Sequence, residues 1–349
     1  MSEKISINIV VLNGKKYTQH CLDAILAQTY PHEFIEINIL DNGSVDSTVE
    51  IIENLSSAFR DSRFVKFFLL KNKKNLGMWP GQEELLKHSS GKYVLTMAVD
   101  VLLDKDFVAN AVKRMESDRN IGGLEAKIYK YEIEDFKIPS YKLQDSRIID
   151  TCGFEIQKSR RIINIGHGQE DRSQFDKYTE IFGVEGAAPF FRREALEDCR
   201  IKGELIDKDF FWYADDLDLA WRMRLLGWKE VLDPEVIAWH DRQTTKTLKK
   251  SFADFVRIRR TVPMKKRALD WRNTRWTVFK NDYIINILKD FPHIAKRELA
   301  MLGYIIFFEP AVLLEIPKFV FLLPKMFMRR KETMKKTTVK PGEIRRWFK

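Results

Sequence analysis

At 349 residues the chain exceeds one small domain, which suggests one α/β domain of roughly 240 residues with an appendage, or two domains. Hydrophobic residues at 44% and charged residues at 32% supply a core and exclude disordered, collagen-like and low-complexity classes. The net charge of +10 is unevenly placed: Arg242–Lys349 holds 27 Lys/Arg against 9 Asp/Glu, a net +18, while residues 1–241 carry −8. A basic third of this kind seeks an anionic partner, either nucleic acid or a phospholipid surface. Cys21, Cys152 and Cys199 are far apart and form no CxxC, so neither a disulfide framework nor a cysteine zinc site is expected. That pattern suits a reducing compartment, and MSEKISINIV shows no secretory signal.

In chain order, Ile5–Leu12 is a β-branched run that predicts a buried strand, and Lys16–Gln28 has apolar residues at helical spacing. Phe34–Leu40 reads as a second strand, closing on Asp41-Asn42-Gly43-Ser44, after which Asp46-Ser47-Thr48 opens a helix through Leu55. Phe64–Leu70 is a third strand, Gln82–His88 a helix and Tyr93–Val99 a fourth strand. Strands alternating with helices at this spacing imply right-handed βαβ units and a parallel sheet. Ligands of such sheets bind beyond the carboxyl ends of the strands, where Asn13, Asp41–Ser44 and Asp100 would sit. Residues 130–180 are polar and irregular and read as loops with short strands. Order returns at Phe182–Phe191 and runs through the acidic-aromatic segment Asp207–Trp228, and a short strand Glu235–Trp239 ends at His240. Lys246–Arg275 is basic and partly helical, and no internal repeat is visible.

Leu299–Met328 has 22 apolar residues in 30, interrupted by Glu309, Glu315, Lys318 and Lys325 and by Pro310, Pro317 and Pro324. It lacks the stretch of about 18 uninterrupted apolar residues expected of a spanning helix, and interior prolines would kink one. Short broken helices lying in a membrane interface, with the basic tail adding attraction to anionic lipid, are one reading. A helical subdomain packed on the core is the other.

Each motif taken singly has a plain structural explanation beside a functional one. Asp41–Asp46 forms a turn and helix cap, or holds a ribose or base at a strand end. Asn75-Leu76-Gly77 is a turn or part of the same site. Asp100 caps, or it binds Mg²⁺ or Mn²⁺ on a diphosphate. Asp215, Asp216 and Asp218 repel one another directly behind four aromatics, which makes sense where one carboxylate is a general base and its neighbours hold the helix. Asp218 and Arg222 stand at i and i+4 and can pair. His240 is a structural histidine or a ligand.

The ordered series carries more than its parts. Val10–Asn13, Gln28–Pro31, Asp41–Asp46, Asn75–Gly77, Val99–Asp104, Gly186–Ala188 with Arg192–Ala195, Asp209–Arg222, Gly227-Trp228 and Pro234–His240 follow one another as in family 2 glycosyltransferases of the GT-A fold. The chain resembles in particular the rhamnosyltransferase-like branch of bacterial surface polysaccharide synthesis, over residues 5–300. The resemblance implies an α/β fold with a Rossmann-like, mostly parallel sheet flanked by helices over 1–245. A basic helical connector over 246–298 and an apolar, basic, membrane-associating helical extension over 299–349 would follow. It implies that Asn13, Asp41, Gly43, Ser44, Asn75, Gly77 and Asp100 bind a nucleotide-diphospho-sugar. Asp216 would be the base, with Asp215 where Glu is usual, and Asp100 and His240 would hold Mg²⁺ or Mn²⁺.

Two departures bear on this. Ala98 stands where the first carboxylate of the DXD-type motif is expected, leaving the cation one ligand fewer, and Met78–Gln82 departs from the small residues expected after Asn-Leu-Gly. Arg272–Trp276 is similar to the QxxRW of processive synthases but has Arg for Gln and lies far downstream, and it is read as chance. The expected function is inverting transfer to a hydroxyl of a lipid-linked or growing glycan, peripheral on the cytoplasmic face of the cell membrane. A non-catalytic sugar-nucleotide-binding or scaffold protein is the alternative, suggested by Ala98. A nucleic-acid-binding protein is less favoured, because no recognition signature accompanies the basic third; nucleic acid is not an expected partner.

Overall fold

Every residue of the first strand, ISINIVV, is buried, as expected of a parallel strand covered on both faces. The computed structural model describes residues 2–133, 147–177, 180–242 and 251–349. Its elements begin with β1 (Ile5–Val11), α1 (Lys15–Leu26), β2 (Ile35–Asp41), α2 (Thr48–Asp61), β3 (Lys66–Lys71), α3 (Met78–Leu86), β4 (Tyr93–Ala98) and β5 (Val101–Leu103). They continue with α4 (Phe107–Ser117), β6 (Ile121–Lys130), β7 (Ile149–Thr151), β8 (Phe154–Ile156), β9 (Ile162–Asn164), β10 (Phe190–Arg192), α5 (Arg193–Asp198), α6 (Asp215–Leu225) and β11 (Lys229–His240). The remainder is helical: α7 (Phe252–Thr261), α8 (Met264–Asn281), α9 (Ile284–Lys289), α10 (Phe291–Phe308), a 3-10 segment (Pro310–Glu315), α11 (Ile316–Lys336) and α12 (Pro341–Arg345). The irregular stretch expected over 130–180 falls partly outside the described residues, at 134–146 and 178–179. Residues 243–250, which contain the expected 245/246 boundary and the start of the basic connector, also lie outside them.

The main sheet runs β3-β2-β1-β4-β10-β6-β11-β5, with β7 also on β6. β3, β2, β1 and β4 are parallel, so the four strands expected from the first 100 residues pair as βαβ units. β10 is inserted antiparallel between β4 and β6, a reversal that local pattern does not show. The helix expected at Gln82 starts earlier, at Met78, because Gly77 turns the chain at φ +97° and Pro80 lies in the first turn, where no N–H is needed. The short strand expected at Glu235 is the end of a twelve-residue strand, with a register shift between Asp233 and Ile237 absorbing Pro234. The three cysteines are free and buried.

The C-terminal third packs onto this body through α8. Trp276 is buried with Phe210 and Met326, while Ile344 and Phe348 join Trp221, Phe182 and Ile156 in one cluster. Several tail cations expected to face a membrane are paired with carboxylates of the chain instead. Arg329 pairs with Glu204 at 2.6 Å and Asp207 at 3.2 Å, Arg345 with Asp290 at 2.6 Å, and Lys349 with Glu155 at 2.5 Å. For Arg329 and Lys349 the acidic charge of residues 1–241 is the physical reason, since the body offers them fixed partners, while Arg345 pairs within the C-terminal third itself.

Candidate functional site

At the carboxyl end of β2 the Asp41 carboxylate is buried and accepts from the N–H of Gly43 at 3.3 Å and of Ser44 at 3.2 Å. Gly43 sits at φ +89°, which permits this tight return. The Asn13 N–H donates to Ser44 Oγ at 2.8 Å, and Asn13 Oδ1 accepts from the Val45 N–H at 2.9 Å. Asn42, beside Asp41, donates to Asn75 Oδ1 and to the Gly77 carbonyl, both at 3.1 Å. Its Oδ1 accepts from the Leu76 N–H at 3.0 Å. Asn13, Asp41, Gly43, Ser44, Asn75 and Gly77 therefore share one hydrogen-bonded edge, with Asn13 and Asn75 exposed. Asp46, whose burial alone would raise its carboxyl, is held below the ordinary range by Thr48 and the Lys15 N–H.

The second half of the edge is built by β5 lying antiparallel on β11, in a register that pairs Val101 with His240. This brings Asp100 Oδ2 to 3.6 Å from His240 Nε2. The other ring nitrogen, Nδ1, is 2.9 Å from Asp150 Oδ2 on β7. Burial opposes charging the ring, but the facing Asp100 carboxylate and the hydrogen bond to Asp150 prevail and His240 is pushed up to about 9. Asp150, despite its burial, is held well below the carboxylate range by His240 and by Arg242. The Arg242 guanidinium donates to both Asp150 oxygens, at 2.7 and 2.9 Å, and to Glu185 at 2.9 Å.

From Glu185 the chain turns into the base cluster. The Gly186 N–H donates to Asp216 Oδ2 at 3.1 Å and the Leu217 N–H to Asp216 Oδ1 at 2.8 Å. Asp216 keeps part of its surface open to solvent. Crowding by protein atoms, and next the nearby Glu185 charge, push its carboxyl from the ordinary range up to about 7. Asp215 differs. Both its oxygens are sealed and have no hydrogen-bond partner among the described residues, and burial, then Asp216 and Asp218, push it well above its ordinary value. Asp218 pairs with Arg222 at 3.1 Å, as i,i+4 spacing implied, and also with Lys280 at 2.9 Å, tying α6 to α8.

The loop carrying this cluster holds three non-glycine residues at positive φ: Phe211 at 64°, Tyr213 at 75° and Ala214 at 61°. Each left-handed residue costs about 1–2 kcal/mol, so something must hold the loop. Asn273 does: its side-chain amide donates to the carbonyls of Phe210, Trp212 and Tyr213 at 3.0, 2.8 and 2.9 Å. Arg272 donates to the Asp209 carbonyl at 2.9 Å. Lys266 lies buried above the Tyr213 ring at 4.2 Å, with no ion pair among the described residues. Burial, opposed by Asp270 and Glu185, lowers its ammonium to about 8.

Sequence reasoning thus named both ends of this network and missed Asp150, Glu185, Arg242, Lys266 and Asn273. Glu185 and Arg242 lie one and two residues from motifs that were read. Asp150 stands in the irregular stretch with no local signal. Among the described residues no group of three or more His, Cys, Asp or Glu could hold a metal ion; Asp100 and His240 face each other as a pair. A cleft of about 480 Å³ beside Lys127, Tyr129 and Trp239 is lined by none of the expected donor, metal or base residues, although Asp104, Ile237 and Trp239 come from the Val99–Asp104 and Pro234–His240 motifs.

A mostly parallel sheet, loops at its carboxyl edge and helices beyond it make this a GT-A-like protein. The Glycosyl transferase family 2 model matches residues 6–200, and the chain belongs to that family. It is 30% identical over 115 residues to the glycosyltransferase GlyA of Streptococcus pneumoniae, covering 33% of this chain and 15% of that protein. It is 27% identical over 158 residues to the poly(ribitol-phosphate) beta-glucosyltransferase of Bacillus spizizenii, covering 43% of this chain and 24% of that protein. These stretches span well under two thirds of the relatives' own lengths. Among solved structures, the mannosyltransferase PcManGT from Pyrobaculum calidifontis, in complex with GDP-Man and Mn²⁺, has TM-score 0.53 at 16% identity, covering 98% of this chain and 88% of that chain. S. aureus TarS 1-349 in complex with UDP has TM-score 0.50 at 14% identity, covering 95% and 88%.

Proposed function

We propose that this protein is an inverting glycosyltransferase. It would move a sugar from a nucleotide-diphospho-sugar to a hydroxyl of a lipid-linked or growing glycan. The observation that carries this is Asp216, a partly open carboxylate fixed by two backbone N–H groups and held near neutrality. A general base works best when its pKa lies near the working pH. The acceptor O–H gives its proton to Asp216 while its oxygen bonds to the anomeric carbon. The bond from that carbon to the diphosphate oxygen breaks, and attack from the opposite face inverts the centre, as in single-displacement glycoside chemistry.

The Asn13, Asp41–Ser44 and Asn75–Gly77 edge would seat the nucleoside. PcManGT, in complex with GDP-Man and Mn²⁺, and TarS 1-349, in complex with UDP, share the fold and support a nucleotide-sugar as the donor. Asp100 and His240 would fit a divalent cation, Mg²⁺ or Mn²⁺, shared with the donor rather than enclosed by protein, once the Nε2 proton between them is displaced: they then present one carboxylate and one imidazole nitrogen 3.6 Å apart. Such an ion supplies neutralisation of the charge developing on the departing diphosphate. Asp150 orients the His240 ring from behind, the carboxylate–histidine arrangement that sets a ligand's direction. Lys266 would add positive charge on the same side.

The test is a panel of UDP-, GDP- and dTDP-sugars, reading nucleoside diphosphate release with and without acceptor glycans. Donor binding with no release or transfer from any member would favour the non-catalytic alternative raised by Ala98.

A further inference from the structure

The carboxylates that interrupt the apolar run in sequence all turn inward. Glu309 is fully buried, accepting from Arg259 at 2.9 Å, Arg267 at 2.8 Å and the Tyr304 hydroxyl at 2.9 Å. Glu315 takes the Arg272 guanidinium at 2.7 Å, and Glu298 takes Arg275 at 2.6 Å. What remains outside is apolar and cationic. Leu299, Leu302 and Ile306 form an i, i+3, i+7 stripe on α10, and Val320 with Phe327 continues at i, i+7 on α11; all are exposed. Phe307 and Phe321 are 80% and 82% exposed. Lys296 and Lys318 are exposed beside them with no partner among the described residues. A water-soluble surface rarely leaves so long an apolar run uncovered.

We propose that the outer face of α10, the Pro310–Glu315 segment and α11 docks on an anionic phospholipid bilayer, bound from one side without crossing it. Among the described residues no single helix is long and apolar enough to cross a membrane. α10 together with Pro310–Lys336 reaches the required length and composition but bends by 114° at the break. Two helices meeting at that angle can both lie in the headgroup–acyl boundary, with phenylalanines immersed and lysines at the phosphates. The bilayer is chosen over a second copy of the chain because the face is net cationic: Lys296, Lys318 and Lys331 are exposed, against one partly buried carboxylate, Glu332, without an ion pair among the described residues. The anionic leaflet of a cell membrane is its inner one, which matches a peripheral protein on the cytoplasmic side. The face is joined to the base loop through Arg272, which touches Glu315 on one side and the Asp209 carbonyl on the other. A lipid-linked acceptor would thus be delivered beside Asp216; the docking itself does not depend on the transferase reading.

The experiment is flotation of the full chain with phosphatidylcholine vesicles and with vesicles containing phosphatidylglycerol. The full chain is used because Ile344 and Phe348 are core residues, and truncation would open the body. Binding to anionic vesicles should exceed binding to neutral ones, weaken with salt without vanishing, and be released by alkaline carbonate. The double variant F307S/F321S should lower partitioning at least about tenfold, since each buried phenylalanine contributes on that scale. Its melting temperature and donor hydrolysis should stay unchanged. K296E/K318E should reduce only the anionic preference. No flotation with anionic vesicles at low salt, equal partitioning of F307S/F321S, or resistance to carbonate would each overturn the proposal. So would a lipid-free dimer that F307S/F321S dissolves.

Discussion

A Cβ placed on Gly77 would stand 2.3 Å from the carbonyl oxygen of Phe211. The loop that follows β3 therefore touches the loop that carries the base, and this close approach helps hold the two halves of the edge together. Gly77→Ala meets both a backbone overlap and a φ of +97° that L-residues avoid. It should lower the melting temperature and reduce turnover and donor affinity together. Thermal melts and initial rates across donor concentrations check this; an unchanged donor KM would separate the two loops.

Asp216→Asn should leave donor binding nearly intact and lower transfer by at least about 10²-fold, the scale of general-base catalysis. The wild-type rate should climb with pH through about 7 as the raised carboxyl loses its proton. Over the same interval the sign for stability is opposite: a carboxyl held above its ordinary value binds a proton in the folded state that the unfolded chain has released. Asp216 therefore weakens folding as pH rises from the ordinary carboxylate range to about 7. A pH–rate profile lacking that limb, or an Asp216→Asn enzyme with normal turnover while Asp215→Asn is dead, would move the base.

Asp150→Asn removes the charge that holds His240 Nδ1 and Arg242. If Asp100 and His240 share a cation with the donor, the Mn²⁺ concentration for half-maximal rate should rise by about 10–100-fold, as for other partners behind a ligand. Ala98→Asp should lower it by restoring a carboxylate at the end of β4. Metal titrations of the two variants should shift in opposite directions; parallel shifts would remove the pair from cation binding.

Asn273→Ala strands the carbonyls of Phe210, Trp212 and Tyr213, at about 1–3 kcal/mol for a buried group left without its partner. The loop should relax from its left-handed turns, lowering kcat with little change in donor KM. Steady-state kinetics show the split. Equal losses in both would mean that Asn273 supports the whole domain rather than the base.

Much of the edge was legible because it is written locally. Strand and helix periods place β1 to β4 in order. The turn chemistry of Asp41–Ser44 and Asn75–Gly77, and the carboxylates crowded behind the Phe210–Tyr213 aromatics, stand within a few residues of one another. Their separation is short enough that backbone geometry alone brings them to a strand end or a helix start.

What the linear order could not specify depends on contacts across long loops. Asp150 meets His240 at a separation of 90 residues, Arg242 meets Glu185 at 57 and Asn273 meets Tyr213 at 60. Which strands pair, and in which register, sets these meetings: β10 reverses inside a parallel sheet and β5 aligns Val101 with His240. The C-terminal run shows the same division. Its composition alone marks it as apolar and basic. Burying a carboxylate without a partner is costly, so Glu309 and Glu315 turn to Arg259, Arg267 and Arg272. Only the tertiary packing decides that outcome, which leaves the outer surface to phenylalanine, leucine and lysine.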